Sequence, residues 1–121
     1  MKETEPKVST QTLSYSDFVT ACRIIAEWAG TRFKSVYGIP RGGLVPAVYL
    51  SHLLDIPLVQ KPEIGCLVAD DIADTGETLK MYRNMRYSIA TIYYHEQSIV
   101  EPDIWVYEKT DEWIKFPWEI K

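Results

Sequence analysis

Three carboxylates and two threonines crowd into Asp70-Asp-Ile-Ala-Asp-Thr-Gly-Glu-Thr78, directly behind the apolar run Cys66-Leu-Val-Ala69. Neighbouring acids repel each other unless something cationic or hydroxyl-bearing lies between them, and a ribose diol with a magnesium ion supplies both. The Thr-Gly-Glu-Thr turn opens a helical pattern. Its N–H groups and two hydroxyls, with the positive end of the helix dipole beneath them, make a cradle for a phosphate. A second reading keeps Asp74 as a helix cap and leaves Asp70 and Asp71 as solvated strand-end residues. The loop Ile39-Pro-Arg-Gly-Gly43 has related chemistry. Its glycines let backbone N–H groups approach an anion, and Arg41 adds a bidentate donor. Taken alone, it is equally a tight turn carrying a surface arginine.

Both loops need a scaffold that brings them to one edge. Ser14-Tyr-Ser-Asp17 reads as a capping box, and Phe18, Cys22, Ile25 and Ala29 recur at helical spacing, which predicts a helix over residues 16–29. A short strand over 35–39, the glycine turn and a helix over 44–54 follow, Pro46 being tolerated in a first turn. Strands are expected over 56–59, 66–69, 88–94 and 104–107, with a helix over 75–85 and an irregular aromatic tail. The uninterrupted apolar character of 66–69 suits a parallel sheet covered on both faces. Strands alternating with helices predict one α/β domain with a mostly parallel central sheet flanked by helices. In such sheets ligands sit beyond the carboxyl ends of the strands, where both loops fall.

Composition narrows the partners. A formal net charge of −4 with no Lys/Arg cluster argues against nucleic-acid binding through a basic surface. An anionic ligand must then be met locally, by a metal, an arginine or helix-start N–H groups. Cys22 and Cys66 stand far apart, without a CxxC, and read as buried free thiols suited to a cytoplasmic protein. Residues 1–13 read as a loose polar segment without an apolar leader, and nowhere do eighteen apolar residues run together, so no membrane partner is expected. At 121 residues much surface stays exposed, which makes a homo-oligomer, a dimer or tetramer, a natural expectation.

The stretch Leu67-Val-Ala-Asp-Asp-Ile-Ala-Asp-Thr-Gly-Glu-Thr-Leu79 resembles the phosphoribosyl-pyrophosphate signature of the type I phosphoribosyltransferases. Arg41-Gly-Gly-Leu-Val-Pro46 resembles the pyrophosphate loop of the bacterial xanthine-guanine branch, and Glu112-Trp-Ile-Lys-Phe-Pro-Trp118 its base-binding end. The resemblance implies that Arg41 and Gly42 hold pyrophosphate and that Asp70 and Asp71 take the ribose hydroxyls, Asp71 also lying at a Mg2+ site. It implies that Thr75, Gly76, Glu77 and Thr78 wrap the 5′-phosphate. Asp74 would face the base as the catalytic carboxylate, Trp113 would stack on the purine, and the Ile114 backbone would lie at its edge. The implied substrates are phosphoribosyl pyrophosphate and a purine base, and the implied fold is the type I phosphoribosyltransferase fold with a small C-terminal base-binding segment.

The sequence departs from that pattern in places. The family's long mobile loop before the signature strand shrinks here to Gln60-Lys-Pro-Glu-Ile-Gly65, enough for a hairpin but hardly a lid. Where the purine enzymes place a lysine that donates to a 6-oxo group, this chain has His95, either a base-binding residue that can donate or accept or a strand-end surface histidine. Glu77 sets an anion inside the phosphate cradle unless its side chain turns outward. Trp113, Phe116 and Trp118 are core candidates on the residues alone. Two functions therefore compete: a purine phosphoribosyltransferase, and a noncatalytic module of the same fold that binds a nucleotide or phosphoribosyl pyrophosphate. A third, a phosphoryl- or carboxylate-handling α/β protein of another kind, lacks its P-loop or G-x-S-x-G signature.

Overall fold

Ser14 starts the first helix, its Oγ accepting from the Asp17 N–H at 3.0 Å, as the capping box requires. In the computed structural model, which describes residues 9–120, the chain order is β1 (Thr10–Thr12), α1 (Tyr15–Ala29), β2 (Ser35–Gly38), α2 (Leu44–Leu54), β3 (Leu58–Val59), β4 (Cys66–Ala73), α3 (Glu77–Asn84), β5 (Ser88–His95), β6 (Ile104–Lys109) and β7 (Trp113–Lys115). Five strands form a sheet in the order β3-β2-β4-β5-β6, and every adjacent pair is parallel.

Residue alternation along the central strands sends side chains to two faces. Val36, Leu67 and Ala69 join Phe18, Ile25 and Leu50 in a core beneath α1 and α2. Tyr37 and Val68 join Leu79, Tyr82 and Ile89 beneath α3. Burial of a large side chain such as Phe18, Leu50 or Leu67 contributes roughly 1.5–3 kcal/mol, and here it fixes which way every residue of β4 points. Cys22 and Cys66 are buried free thiols, as expected. No helix among the described residues is long and apolar enough to cross a membrane.

Four expectations need correction. Residues 10–12 are not loose: β1 pairs in parallel with β7, Gln11 opposite Ile114, and Leu13, 3% exposed, donates its N–H to the Lys115 carbonyl at 2.9 Å. Residues 1–8 lie outside the described residues. The tail is accordingly not irregular throughout. Phe116 stacks on Trp118 with centroids 4.9 Å apart, and Trp118 meets Phe18 edge-on at 5.0 Å, so these rings seal the α1 side of the sheet. Third, β4 does not stop at Ala69 but runs on to Ala73, because Ile72 and Ala73 keep pairing with Tyr93 and Tyr94 of β5. Helix α3 begins correspondingly later, at Glu77.

The fourth concerns the short loop. Both β3 and β4 run parallel to β2, on its two sides, so residues 60–65 make a crossover and not a hairpin. Ser35 Oγ donates to Glu63 Oε2 at 2.9 Å, and the Lys34 N–H to the Gly65 carbonyl at 2.9 Å. These bonds tie the segment to the amino end of β2, the edge opposite the one that carries the acids.

Candidate active site

The acids stand where β4 outlasts its neighbour. Pairing between β2 and β4 ends at Gly38 and Ala69, while β4 continues against β5. Residues 39–43 turn into the vacated place. The Ile39 N–H donates to the Ala69 carbonyl at 2.9 Å, and the Gly43 N–H to the Ile39 carbonyl at 2.8 Å. This turn contains a cis peptide bond between Pro40 and Arg41. A Cβ at Gly42 would run into the Asp71 carboxylate, so only glycine lets the loop lie directly on that acid.

Pairing of β4 with β5 skips Asp71, and the Asp70 and Asp71 carboxyls lie within hydrogen-bond reach of each other. Asp70 is 8% exposed, and its Oδ1 accepts the Asp71 N–H at 2.8 Å. Burial, with the charge of Asp71 added, pushes its carboxyl up to about 8. Burial also raises Asp71, against hydrogen bonds from the Asp70 side chain and the Ile72 N–H that favour its anion. Two acids held in this state make a site that gains from any cation or hydroxyl brought to it.

The residues expected to wrap a phosphate form a braced turn beside these acids. Gly76 caps α3 at φ +88, and a Cβ there would strike Ser98 Oγ and the backbone N–H groups of Ile99 and Val100. The Thr75 carbonyl accepts from the Ile99 N–H at 2.9 Å, and Thr75 Oγ1 from the Glu77 N–H at 3.3 Å. Thr75, Glu77 and Thr78 are exposed, so the Glu77 carboxylate can lie in solvent while the first-turn N–H groups face an incoming anion.

An open cleft of about 820 Å³ lies at this carboxyl edge, a size suited to a small-molecule ligand. Arg41, Gly42, Asp71 and Asp74 line one side, and Trp113, Ile114, Phe116 and Trp118 the other. Trp113 is 61% exposed at the mouth, unlike Phe116 at 4%, so among the tail aromatics its ring is the one offered to a ligand. Of the expected site residues, Asp70, His95 and the phosphate turn at 75–78 border this space without lining it.

Asp74 is a polar centre of the cleft. Its Oδ1 accepts from the Gln97 side-chain amide at 3.2 Å, and Lys109 Nζ stands 3.7 Å away. His95 Nδ1 is 4.0 Å from the same oxygen. Lys109 and Gln97 were not legible as site residues. Lys109 ends β6, and only the β5–β6 register, which sets it opposite His95, carries it to Asp74.

Among the described residues no cluster of three or more His, Cys, Asp or Glu forms a ready-made metal cage. The donors present are the hard carboxylate oxygens of Asp70 and Asp71. That set fits a magnesium ion, which takes one or two protein carboxylates and completes its shell with water and substrate oxygens.

No protein-family model matches the chain. A xanthine-guanine phosphoribosyltransferase of Cereibacter sphaeroides is 32% identical, the match covering 73% of this chain and 70% of that protein. The crystal structure of a purine phosphoribosyltransferase from Pyrococcus horikoshii is similar at a TM-score of 0.77 and 31% identity, covering 91% of this chain and 94% of that one. The Helicobacter pylori xanthine-guanine-hypoxanthine phosphoribosyltransferase shares the fold at a TM-score of 0.80 and 19% identity, over 92% and 94% of the two chains. A wholly parallel sheet with the paired acids at its carboxyl edge and these relatives lead to one conclusion: the chain belongs to the purine phosphoribosyltransferase family.

Proposed function

We propose that the protein is a magnesium-dependent pentosyltransferase that joins a purine base to the phosphoribosyl group of phosphoribosyl pyrophosphate, releasing pyrophosphate and a nucleoside monophosphate. The observation that carries this reading is the convergence of Arg41, Gly42, Asp71, Asp74 and Trp113 on one cleft. The 5′-phosphate rests on the N–H groups and hydroxyls of the turn made by Thr75, Gly76, Glu77 and Thr78. Asp70 and Asp71 take the ribose hydroxyls, and Asp71 holds the magnesium ion, which when bound neutralises charge on the diphosphate. The base slides beneath Trp113, with the Ile114 backbone at its edge.

In the reaction the bond from the anomeric carbon to pyrophosphate breaks and the purine N9 lone pair forms the new bond to that carbon. The N7 proton of the base passes to Asp74. Positive charge develops on the sugar as the old bond lengthens, and Arg41 with the Gly42 N–H meets the negative charge that leaves. Asp74 is exposed enough to be reached, its side chain being 47% accessible, and the Gln97 amide holds its orientation.

A second reading, a noncatalytic binding module, draws on one observation. The segment at 60–65 that would be a lid is tied to the opposite edge of the sheet, and a reactive cationic centre calls for exclusion of water. In the transferase reading a neighbouring subunit supplies that cover. Helix α2 is largely apolar and leaves Leu44 and Val48 about two-fifths exposed, a face suited to a dimer or tetramer. Buried free thiols fit a reducing cytoplasm.

The discriminating experiment mixes the protein with phosphoribosyl pyrophosphate, magnesium and each of guanine, xanthine, hypoxanthine and adenine. Nucleotide should form with at least one base, and Asp74→Ala should cut turnover about 10²–10⁴-fold. Unchanged turnover removes Asp74 from the chemistry. Binding of phosphoribosyl pyrophosphate with no product from any base favours the second reading.

A further inference from the structure

We propose that His95 is a positioning residue that acts on the catalytic carboxylate from behind the site, by holding the turn that carries the Gln97 amide to Asp74. The inference rests on the transferase reading above and concerns the orientation of Asp74, not recognition of the base. His95 closes β5, and its side chain is only 13% accessible. Neither His95 nor Gln97 lines the cleft, whereas Asp74 does. His95 Nδ1 stands 4.0 Å from Asp74 Oδ1, close by but beyond the reach of a direct hydrogen bond.

What the residue does make is a turn. The Ser98 N–H donates to the His95 carbonyl at 2.9 Å, and the Gln97 N–H donates to His95 Nδ1 at 3.4 Å. Backbone and side chain of one residue thus accept from the N–H groups of the turn that follows it, the way an Asn or Asp side chain fixes a turn. A ring nitrogen that accepts carries no proton, so the imidazole is neutral with its hydrogen on Nε2. Nε2 stands 3.4 Å from Asp111 Oδ1, an acceptor that favours this tautomer.

From this turn the Gln97 amide donates to Asp74 Oδ1 at 3.2 Å. The next residues clamp the same stretch: the Ile99 N–H donates to the Thr75 carbonyl at 2.9 Å, and Ser98 Oγ lies where a Cβ of Gly76 would go. Among the described residues the polar neighbours of the Asp74 carboxylate are Gln97 Nε2, Lys109 Nζ at 3.7 Å and His95 Nδ1, and all three meet Oδ1. Oδ2 is the oxygen left to take the N7 proton of the base. A proton acceptor works only while held within hydrogen-bond reach of that proton, and a half-accessible carboxylate released from its brace turns away.

The test measures kcat and KM, with whichever base turns over fastest, in the wild type, His95→Leu, His95→Asn, Gln97→Ala and the double variant His95→Leu/Gln97→Ala. His95→Leu and Gln97→Ala should each lower kcat about 10- to 100-fold with KM for the base little changed. His95→Asn, whose side-chain oxygen can accept the Gln97 N–H in place of Nδ1, should recover most of that loss. The double variant should lose no more than the worse single variant, because both substitutions remove one brace. Nitrogen NMR should place the ring proton on Nε2, and with two histidines in the chain the His95 signals are those missing from His95→Asn. Calorimetry should find phosphoribosyl pyrophosphate affinity retained, which shows the fold intact, and the exposed Gln97 reads the same brace if His95→Leu fails to fold. A loss that falls on KM for the base with kcat unchanged makes His95 a base contact and overturns the inference. So does a His95→Asn variant as damaged as His95→Leu, a double variant whose loss is the product of the single losses, or a ring proton on Nδ1. A wild type that makes no nucleotide from any base overturns the transferase reading itself, and this inference with it.

Discussion

The end of the cleft proposed for the sugar phosphate is built from one continuous stretch of chain with a glycine loop laid against it, whereas the end proposed for the base is assembled from segments that meet only because of the sheet order. At the first end Asp70, Asp71 and residues 75–78 follow one another from β4 into α3, and Gly42 packs onto Asp71. At the second, Asp74 comes from the β4–α3 turn, Lys109 from β6 and Trp113 from β7, and β7 is itself held by β1 from the other end of the chain. Contiguity lets local chemistry dictate geometry. Convergence leaves the geometry to register and packing.

If the two ends are separable in this way, variants should damage one and spare the other. The largest effect is expected at Gly42→Ala. The new methyl group meets a carboxylate that can swing aside, so the fold survives while Asp71 is displaced. Overpacking of about 1–3 kcal/mol then appears as roughly 5- to 150-fold weaker phosphoribosyl pyrophosphate binding by calorimetry, with melting temperature little changed. Trp113→Ala should do the converse. Base stacking is worth about 1–3 kcal/mol per base, and the ring is 61% exposed, so KM for the base should rise about tenfold while phosphoribosyl pyrophosphate affinity and stability hold. Equal damage to both ligands in either variant breaks the separation.

The smallest effect concerns the acids alone. Between pH 3.8 and about 8 the folded protein keeps on Asp70 a proton that the unfolded chain has released. Raising pH through that window therefore favours the unfolded chain, and stability should decline. Asp70→Asn removes the group, so in metal-free buffer its melting temperature should exceed the wild type's at pH 8 by a few degrees and depend less on pH. Steeper pH dependence in the variant would contradict the burial and mutual repulsion assigned to this pair.

Legibility in the sequence followed the same division. The apolar run before Asp70, the Thr-Gly-Glu-Thr turn and Arg41-Gly-Gly43 are local signals, and the structure brings them to one edge. The capping box at Ser14 and the bounds of α2 are local as well, and both were readable. Strand β1 was not, because three polar residues become a strand only when β7 offers its backbone. Nor was the extension of β4, since Ile72 and Ala73 look like turn residues until β5 pairs with them. Lys109 lies fourteen positions beyond His95, and no spacing rule joins them until their strands lie side by side.

The central claim is that one nucleotide spans both ends of the cleft, and a crystal structure of the protein with magnesium and a 6-oxopurine nucleoside monophosphate tests it most directly. The account predicts the phosphate on the turn formed by Thr75, Gly76, Glu77 and Thr78 and the purine against Trp113. A nucleotide seated elsewhere, or one whose base avoids Trp113 while its phosphate sits as expected, would contradict it.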